Sequence, residues 1–150
     1  MFATEWAMGS REAKEAFLVR EEVYIGELKR PRGEVFSNED DLAAHLIVRL
    51  NGEAIASSRF APFHGGVKLD QFCVKKERRG QGFFDLMVRV MLDKARRMGT
   101  DKVYVNAPED FLKYFEAFGF QTGEKDEGGN TALFVEPENI VWHSACKDGN

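Results

Sequence analysis

The stretch KKERRGQGFFDLMVRVMLDKARR, residues 75–97, decides how the rest of the chain is read. Phe84, Val88, Met91, Ala95 and Met98 recur at helical spacing, with Phe83, Met87 and Val90 beside them, so a long amphipathic helix opens just after Gly82 and ends at Gly99. Upstream, VKLDQFCV at 67–74 reads as a strand, alternating Val67, Leu69 and Gln71 on one side with Lys68, Asp70, Phe72 and Val74 on the other. A strand that passes through Arg79-Gly80-Gln81-Gly82 into a helix start turns several backbone N–H groups outward, at the positive end of the helix dipole. That arrangement suits a pyrophosphate. Glycines at 80 and 82 remove Cβ atoms that would exclude a ligand or forbid the dihedrals of a tight turn. Lys75, Lys76, Arg78 and Arg79 add cationic side chains around the same spot. A plain tight connection without a ligand is the alternative reading. Two nucleotide motifs fail on spacing: no Lys-Ser/Thr follows the glycines as a P-loop needs, and the third glycine of a dinucleotide fingerprint is absent.

Working outward, a short strand is expected at Phe2 to Ala7. Ser10 is the expected N-cap of a helix carrying Ala13, Ala16, Phe17, Val23 and Tyr24 and ending near Gly26. KRPRGEVFSNEDD reads as a loop. LAAHLIVRLNGEAIASSRFAPFHGG holds two apolar runs, about 43–50 and 53–61, joined at Asn51-Gly52, a strong hairpin signal. Beyond Gly99 come a strand in DKVYVNA, a helix from Pro108 to Gly119, and a strand pair around an acidic Gly-Gly turn. The tail PENIVWHSACKDGN is weakly patterned. This order predicts a mixed sheet flanked by helices in a single domain over residues 1–150.

A formal net charge of −4 lacks the basic excess of a nucleic-acid binder. No apolar run reaches the roughly 20 residues a bilayer span needs, and MFATEWAMGSREAKE has no basic segment followed by an apolar one, so no membrane is expected and a cytoplasmic location is the default. Cys73 and Cys146 lie far apart, and His45, His64 and His143 are scattered singly; no metal site is expected. His45, inside LAAHLIV, reads first as a hydrogen-bonded structural residue and second as a catalytic one.

VKKERRGQGFFDLMV resembles the acyl-coenzyme A motif of the GNAT superfamily of N-acetyltransferases, whose turn reads Arg/Gln-x-x-Gly-x-Gly/Ala after a strand ending in Val. Arg79, Gly82 and Val74 match. YFEAFGF at 114–120 is similar to the family's aromatic-Tyr-Glu-x-x-Gly-Phe helix end, and VREEVYIGEL at 19–28 and DDLAAHLIV at 40–48 look like the corresponding segments of the ElaA-type branch. The resemblance implies an α/β (α+β) fold: a mixed, mostly antiparallel sheet of about six or seven strands flanked by about three or four helices. In it a parallel strand pair, here 66–74 and 101–106, splays to form the acyl-CoA cleft. It also implies the activity, transfer of an acetyl group from acetyl-CoA to a primary amine of a small molecule or peptide by direct attack. The thioester and pantetheine would lie along Phe72, Cys73 and Val74, and the pyrophosphate on the amides of Arg79, Gly80, Gln81, Gly82, Phe83 and Phe84. Asn106 would bond the pantetheine or cap the next helix. The reaction needs positioning, a base for the amine's proton and an acid for the thiolate. A homodimer is the family expectation.

Two positions depart from the family pattern. Phe84 stands where Gly or Ala is usual; it begins the helical stripe, so its ring either joins the core or reshapes the cofactor site. Phe115 stands where the family's general-acid tyrosine sits, with Tyr114 one residue earlier, about 100° round the helix. Tyr114 is the candidate acid if the helix shifts; otherwise water serves. Asp70 is the candidate base, on the strand face of Phe72 and Val74, unless it simply pairs with Lys68 or Arg59. Glu27 is a second candidate acid group. The loop 29–41 would border the acceptor. Two other readings stay open: an acyltransferase taking a longer chain from acyl-CoA or acyl carrier protein, and a non-catalytic acyl-CoA sensor.

Overall fold

The computed structural model describes residues 1–143; Cys146 lies outside them. Among the described residues seven strands, β1 (Phe2–Met8), β2 (Ala44–Leu50), β3 (Glu53–Phe63), β4 (Gly66–Val74), β5 (Val103–Pro108), β6 (Gln121–Lys125) and β7 (Asn130–Val135), form one sheet in the order β1-β2-β3-β4-β5-β7-β6, mostly antiparallel, with β4 and β5 parallel. The chain divides into two compact units, Met1–Ala61 with Leu69–Met91, and Pro62–Lys68 with the described residues from Leu92 onward.

The first unit is built on β1 (Phe2–Met8), β2 (Ala44–Leu50), most of β3 (Glu53–Phe63) and the second part of β4 (Gly66–Val74). Asn51 and Gly52 both take positive φ, 52° and 88°, as a two-residue hairpin turn requires, and β2 and β3 pair antiparallel from Leu50↔Glu53. Along the helical segment, α1 (Gly9–Glu12) and α2 (Lys14–Arg20) run into a π-helical stretch, Glu21–Glu27, in which Leu28 N–H reaches back to Val23 O. Ala13, Ala16, Val19 and Val23 bury one face against Ala7, Ile47, Ala54 and Cys73, with Phe17 and Tyr24 packed beside them.

Two local expectations are corrected here. Ser10 does not cap the helix: the Glu12 carboxylate accepts Met8 N–H at 2.8 Å, and the Ser10 hydroxyl donates instead to Asp41. The stretch at 29–41 is more ordered than a loop, with α3 (Arg32–Val35) and a 3₁₀ turn, Asn38–Leu42, opened by a Ser37/Asp40 capping box. Burial of Val35 and Asp40 explains this order.

The long helix α4 (Phe83–Met98) starts and stops where its pattern predicts, and Met87, Val88 and Met91 of its first part are fully buried. Its last two turns, from Leu92, belong to the second unit and end at Gly99, φ +69°. There β5 (Val103–Pro108) pairs antiparallel with β7 (Asn130–Val135), β7 with β6 (Gln121–Lys125), and the start of β4 pairs parallel with β5 at Val67↔Val103 and Lys68↔Tyr104. Helix α5 (Leu112–Ala117) buries Phe115, and Phe118 and Phe120 follow it into the core. No helix among the described residues is long and apolar enough to cross a membrane, and no group of three or more His, Cys, Asp or Glu among them is placed to hold a metal.

Candidate active site

The turn between β4 and α4 owes its shape to two glycines. Gly80 and Gly82 adopt φ +78° and +86°, conformations that L side chains rarely take, and no protein atom lies within 4 Å of where a Cβ on either would stand. The glycines therefore answer a dihedral demand, and the space beside them is open. Leu86 N–H donates to Gly82 O at 3.0 Å, so Gly82 caps α4 and the amides of Phe83, Phe84 and Asp85 sit at the positive end of the helix. Sequence reasoning passed over Asp85, a buried carboxylate in this first turn that accepts from Arg89 Nε at 2.8 Å.

Arg79 and Glu27, given separate roles by the sequence, are joined. The guanidinium donates to both Glu27 oxygens, at 2.7 and 2.5 Å, while its Nε donates to Val74 O at 3.0 Å. These hydrogen bonds hold Glu27 below the usual carboxylate range and push Arg79 further up. Lys75 is also engaged, donating to Glu53 at 3.1 Å with Glu22 at 3.6 Å.

On β4 the expected alternation breaks at Gln71, which takes φ +54°. Arg59 of β3 meets Asp70, whereas Ser57, two residues earlier on β3, meets Cys73, three residues later on β4. One extra residue on β4 is a β-bulge, and it reverses which way the following side chains point. Asp70 and Cys73 consequently lie on the α2 side, where Ser57 Oγ also meets Ala16 O at 3.4 Å. Phe72 turns to the α4 side, its ring 5.1 Å from that of Phe84 at an interplanar angle of 61°. Asp70 thus does not share a face with Phe72, contrary to the expectation from strict alternation. The Phe84 ring, half-buried, lies against the strand that precedes its own turn.

Two further groups fix the bulge. The Tyr24 hydroxyl, from the π-helical stretch, donates to Phe72 O. Burial pushes the phenol's pKa up, so it stays protonated and able to donate. Cys73 is buried, and desolvation raises its thiol to about 11, which makes it an inert apolar filler rather than a nucleophile.

Behind the bulge lies a buried ionic network, of which only the Asp70–Arg59 pair was among the readings of the sequence. Arg59 donates to Asp70 through Nε and Nη2, each at 2.8 Å, and to Asp40 Oδ1 at 2.9 Å; Arg20 Nη1 reaches the same Asp40 oxygen at 2.9 Å. Burial alone would raise the Asp40 pKa, but the Ser37 N–H and the two guanidiniums outweigh it and hold the carboxyl below its ordinary value. His45 is fully buried; its Nε2 donates to Asp40 O at 3.0 Å and its Nδ1 accepts from Arg20 at 3.2 Å. Burial, with Arg20 nearby, keeps the imidazole pKa low and the ring neutral, as befits a structural histidine.

The remaining candidates belong to the second unit. Asn106 Nδ2 donates to Asp126 at 3.4 Å. Phe115 is buried, and the half-buried Tyr114 stacks edgewise on Phe115 and Phe118 at 5.2 and 5.3 Å.

Comparison with known proteins bears on this geometry. The sequence pattern of the acetyltransferase (GNAT) family matches residues 6–120. The chain is 24% identical over 121 residues to the uncharacterized N-acetyltransferase YjcF of Bacillus subtilis, covering 81% of this chain and 86% of that protein. Its fold is similar to that of a putative N-acetyltransferase from Lactobacillus plantarum, with TM-score 0.79, 16% identity, and 90% of this chain and 97% of the other covered. It is likewise similar to Escherichia coli ElaA, with TM-score 0.74, 18% identity, and 91% and 100% covered. With a glycine turn capping α4 beside a bulged strand and a family match over most of its length, the chain belongs to the acetyltransferase (GNAT) family of acyl-CoA-dependent transferases.

Proposed function

We propose that this acyltransferase moves an acetyl group from acetyl-CoA to the primary amine of a small molecule or peptide by direct attack. The observation that carries the reading is the turn at Gly80 and Gly82, open beside both glycines and set at the positive end of α4. In this reading the pyrophosphate rests on the amides from Arg79 to Phe84, and the thioester lies along Phe72, Cys73 and Val74. Asp70 takes the amine's proton; Arg59 holds both of its carboxylate oxygens, and the side chain is 31% exposed. Glu27, which shares Arg79 with the incoming phosphates, is the second carboxylate. Asn106 bonds the pantetheine or caps the next helix, and Tyr114, one residue before the position of the family's acid, protonates the departing thiolate if the helix shifts, with water serving otherwise. We treat residues 1–150 as one domain, since a single strand order runs through both units. We place the protein in the cytoplasm with the acetyl-CoA pool, and we retain a homodimer as its assembly.

A longer acyl donor is the second reading. The Phe72–Phe84 ring pair supports it by lining the start of α4 with apolar surface. Calorimetry with acetyl-CoA and longer acyl-CoAs, followed by turnover on a panel of amines, tests both. Tight acetyl-CoA binding with turnover is expected. Binding of the longer donors alone would favour the second reading, binding without turnover would favour a sensor, and no binding would defeat every reading built on the turn.

A further inference from the structure

Both carbonyls that the end of β4 turns away from β3 are occupied by side chains. Lys75 N–H donates to Ile55 O on β3 at 2.9 Å, and residues two apart on a strand point their backbone groups the same way. Cys73 therefore faces β3, while Phe72 and Val74 face the opposite edge. At that edge Phe72 O accepts the Tyr24 hydroxyl and Val74 O accepts Arg79 Nε at 3.0 Å. Arg79 is itself gripped by Glu27, three residues beyond Tyr24. A single π-helical segment, Glu21–Glu27, thus holds both carbonyls, one directly and one through an arginine.

We propose that Tyr24 is a positioning residue for acyl transfer: by binding the Phe72 carbonyl it fixes the bulge so that its outer edge meets the acyl donor with N–H groups and no bare acceptor. The proposal rests on the acyl-transfer reading above. Its logic is one of polarity. A thioester carbonyl is an acceptor, and as the amine attacks, negative charge builds on that oxygen. An unclaimed backbone carbonyl alongside would repel this charge, and a peptide plane free to rotate would blur the direction of the donors beside it. Tyr24 prevents both. Among the described residues no other side chain bonds Phe72 O, and the phenol comes from a partly buried ring packed against the Ala13–Val23 face.

Tyr24→Phe keeps the ring and removes only the bond. The expected result is a fall in kcat for acetyl transfer of about tenfold, with the dissociation constant of coenzyme A itself, set by the distant pyrophosphate turn, unchanged within about twofold. In the free protein the 13C resonance of the Phe72 carbonyl should move in the variant, a readout that needs no ligand. An unchanged kcat, an unmoved carbonyl resonance, or equal losses in kcat, coenzyme affinity and thermal stability would each overturn the proposal. If the wild-type protein binds no acetyl-CoA, the acyl-transfer reading fails and takes this proposal with it. If the wild type turns over and Tyr24→Phe does so equally well, this proposal fails alone.

Discussion

The turn at Arg79–Phe84 and the bulge at Asp70–Cys73 sit a few residues apart, and both bend the backbone into positive φ, yet by opposite means. At the turn the residues are glycines, with φ +78° and +86° and open space beside them, so the conformation is written into the residue type. At the bulge the residue is Gln71, φ +54°, which has no such freedom; a left-handed conformation there costs about 1 kcal/mol or more. What holds it is distant in sequence: Arg59 on Asp70, Ser57 on Cys73 and Tyr24 on Phe72. One bend is local and built to leave room. The other is tertiary and built to be held.

Substitutions at each bend separate the two. The largest effect is expected from Gly82→Glu, which brings a side chain and a negative charge into the open side of the turn: acetyl-CoA affinity should fall at least about a hundredfold by calorimetry. Retained affinity would place the phosphates elsewhere. Next, Arg59→Met strips the bulge of its main tertiary restraint and leaves Asp70 and the buried Asp40 short of a partner. Urea denaturation should show a loss of about 3–5 kcal/mol; a loss below about 1 kcal/mol would mean the network is not what holds the bulge. Phe84→Ala should lower stability by about 2 kcal/mol, since the half-buried ring leaves Phe72, without tightening acetyl-CoA. A clear gain in affinity would show that the ring fills ligand space. The smallest effect is a gain: Gln71→Gly should relieve the dihedral penalty and raise Tm by about 2–4 °C. A lowered Tm would mean that Gln71 is not strained.

The same contrast explains what the sequence made legible. Asn51-Gly52 gave the hairpin, the stripe from Phe84 to Ala95 gave α4, and Gly99 gave its end, because each signal is carried by residues that set their own backbone. The glycine turn at 80 and 82 was legible in the same way. The reversal at Gln71 was missed although the pattern carries a trace of it: Val67 and Leu69 alternate with polar Lys68 and Asp70, but Gln71 is polar where an apolar residue is due and Phe72 apolar where a polar one is, and with the slip went the expected shared face of Asp70 and Phe72. Tyr24 looked like one more apolar position on a helix; its hydroxyl, carried on the π-helical stretch, reaches Phe72 O, a contact 48 residues distant that no local pattern marks. Arg20, Asp40 and Arg59 were unremarkable as single charges and informative only as a buried set. Ser10 was misassigned for a smaller reason: Glu12 reaches the same helix start and Asp41 competes for the hydroxyl.

The occupied carbonyls of Phe72 and Val74 have a bearing on how the chain keeps to itself during folding and storage. A strand edge recruits another chain by offering alternating donors and acceptors, and an edge whose acceptors already hold a donor completes that ladder less readily. The residues that dress this edge for a ligand would therefore also insulate it against zipping onto a neighbouring molecule.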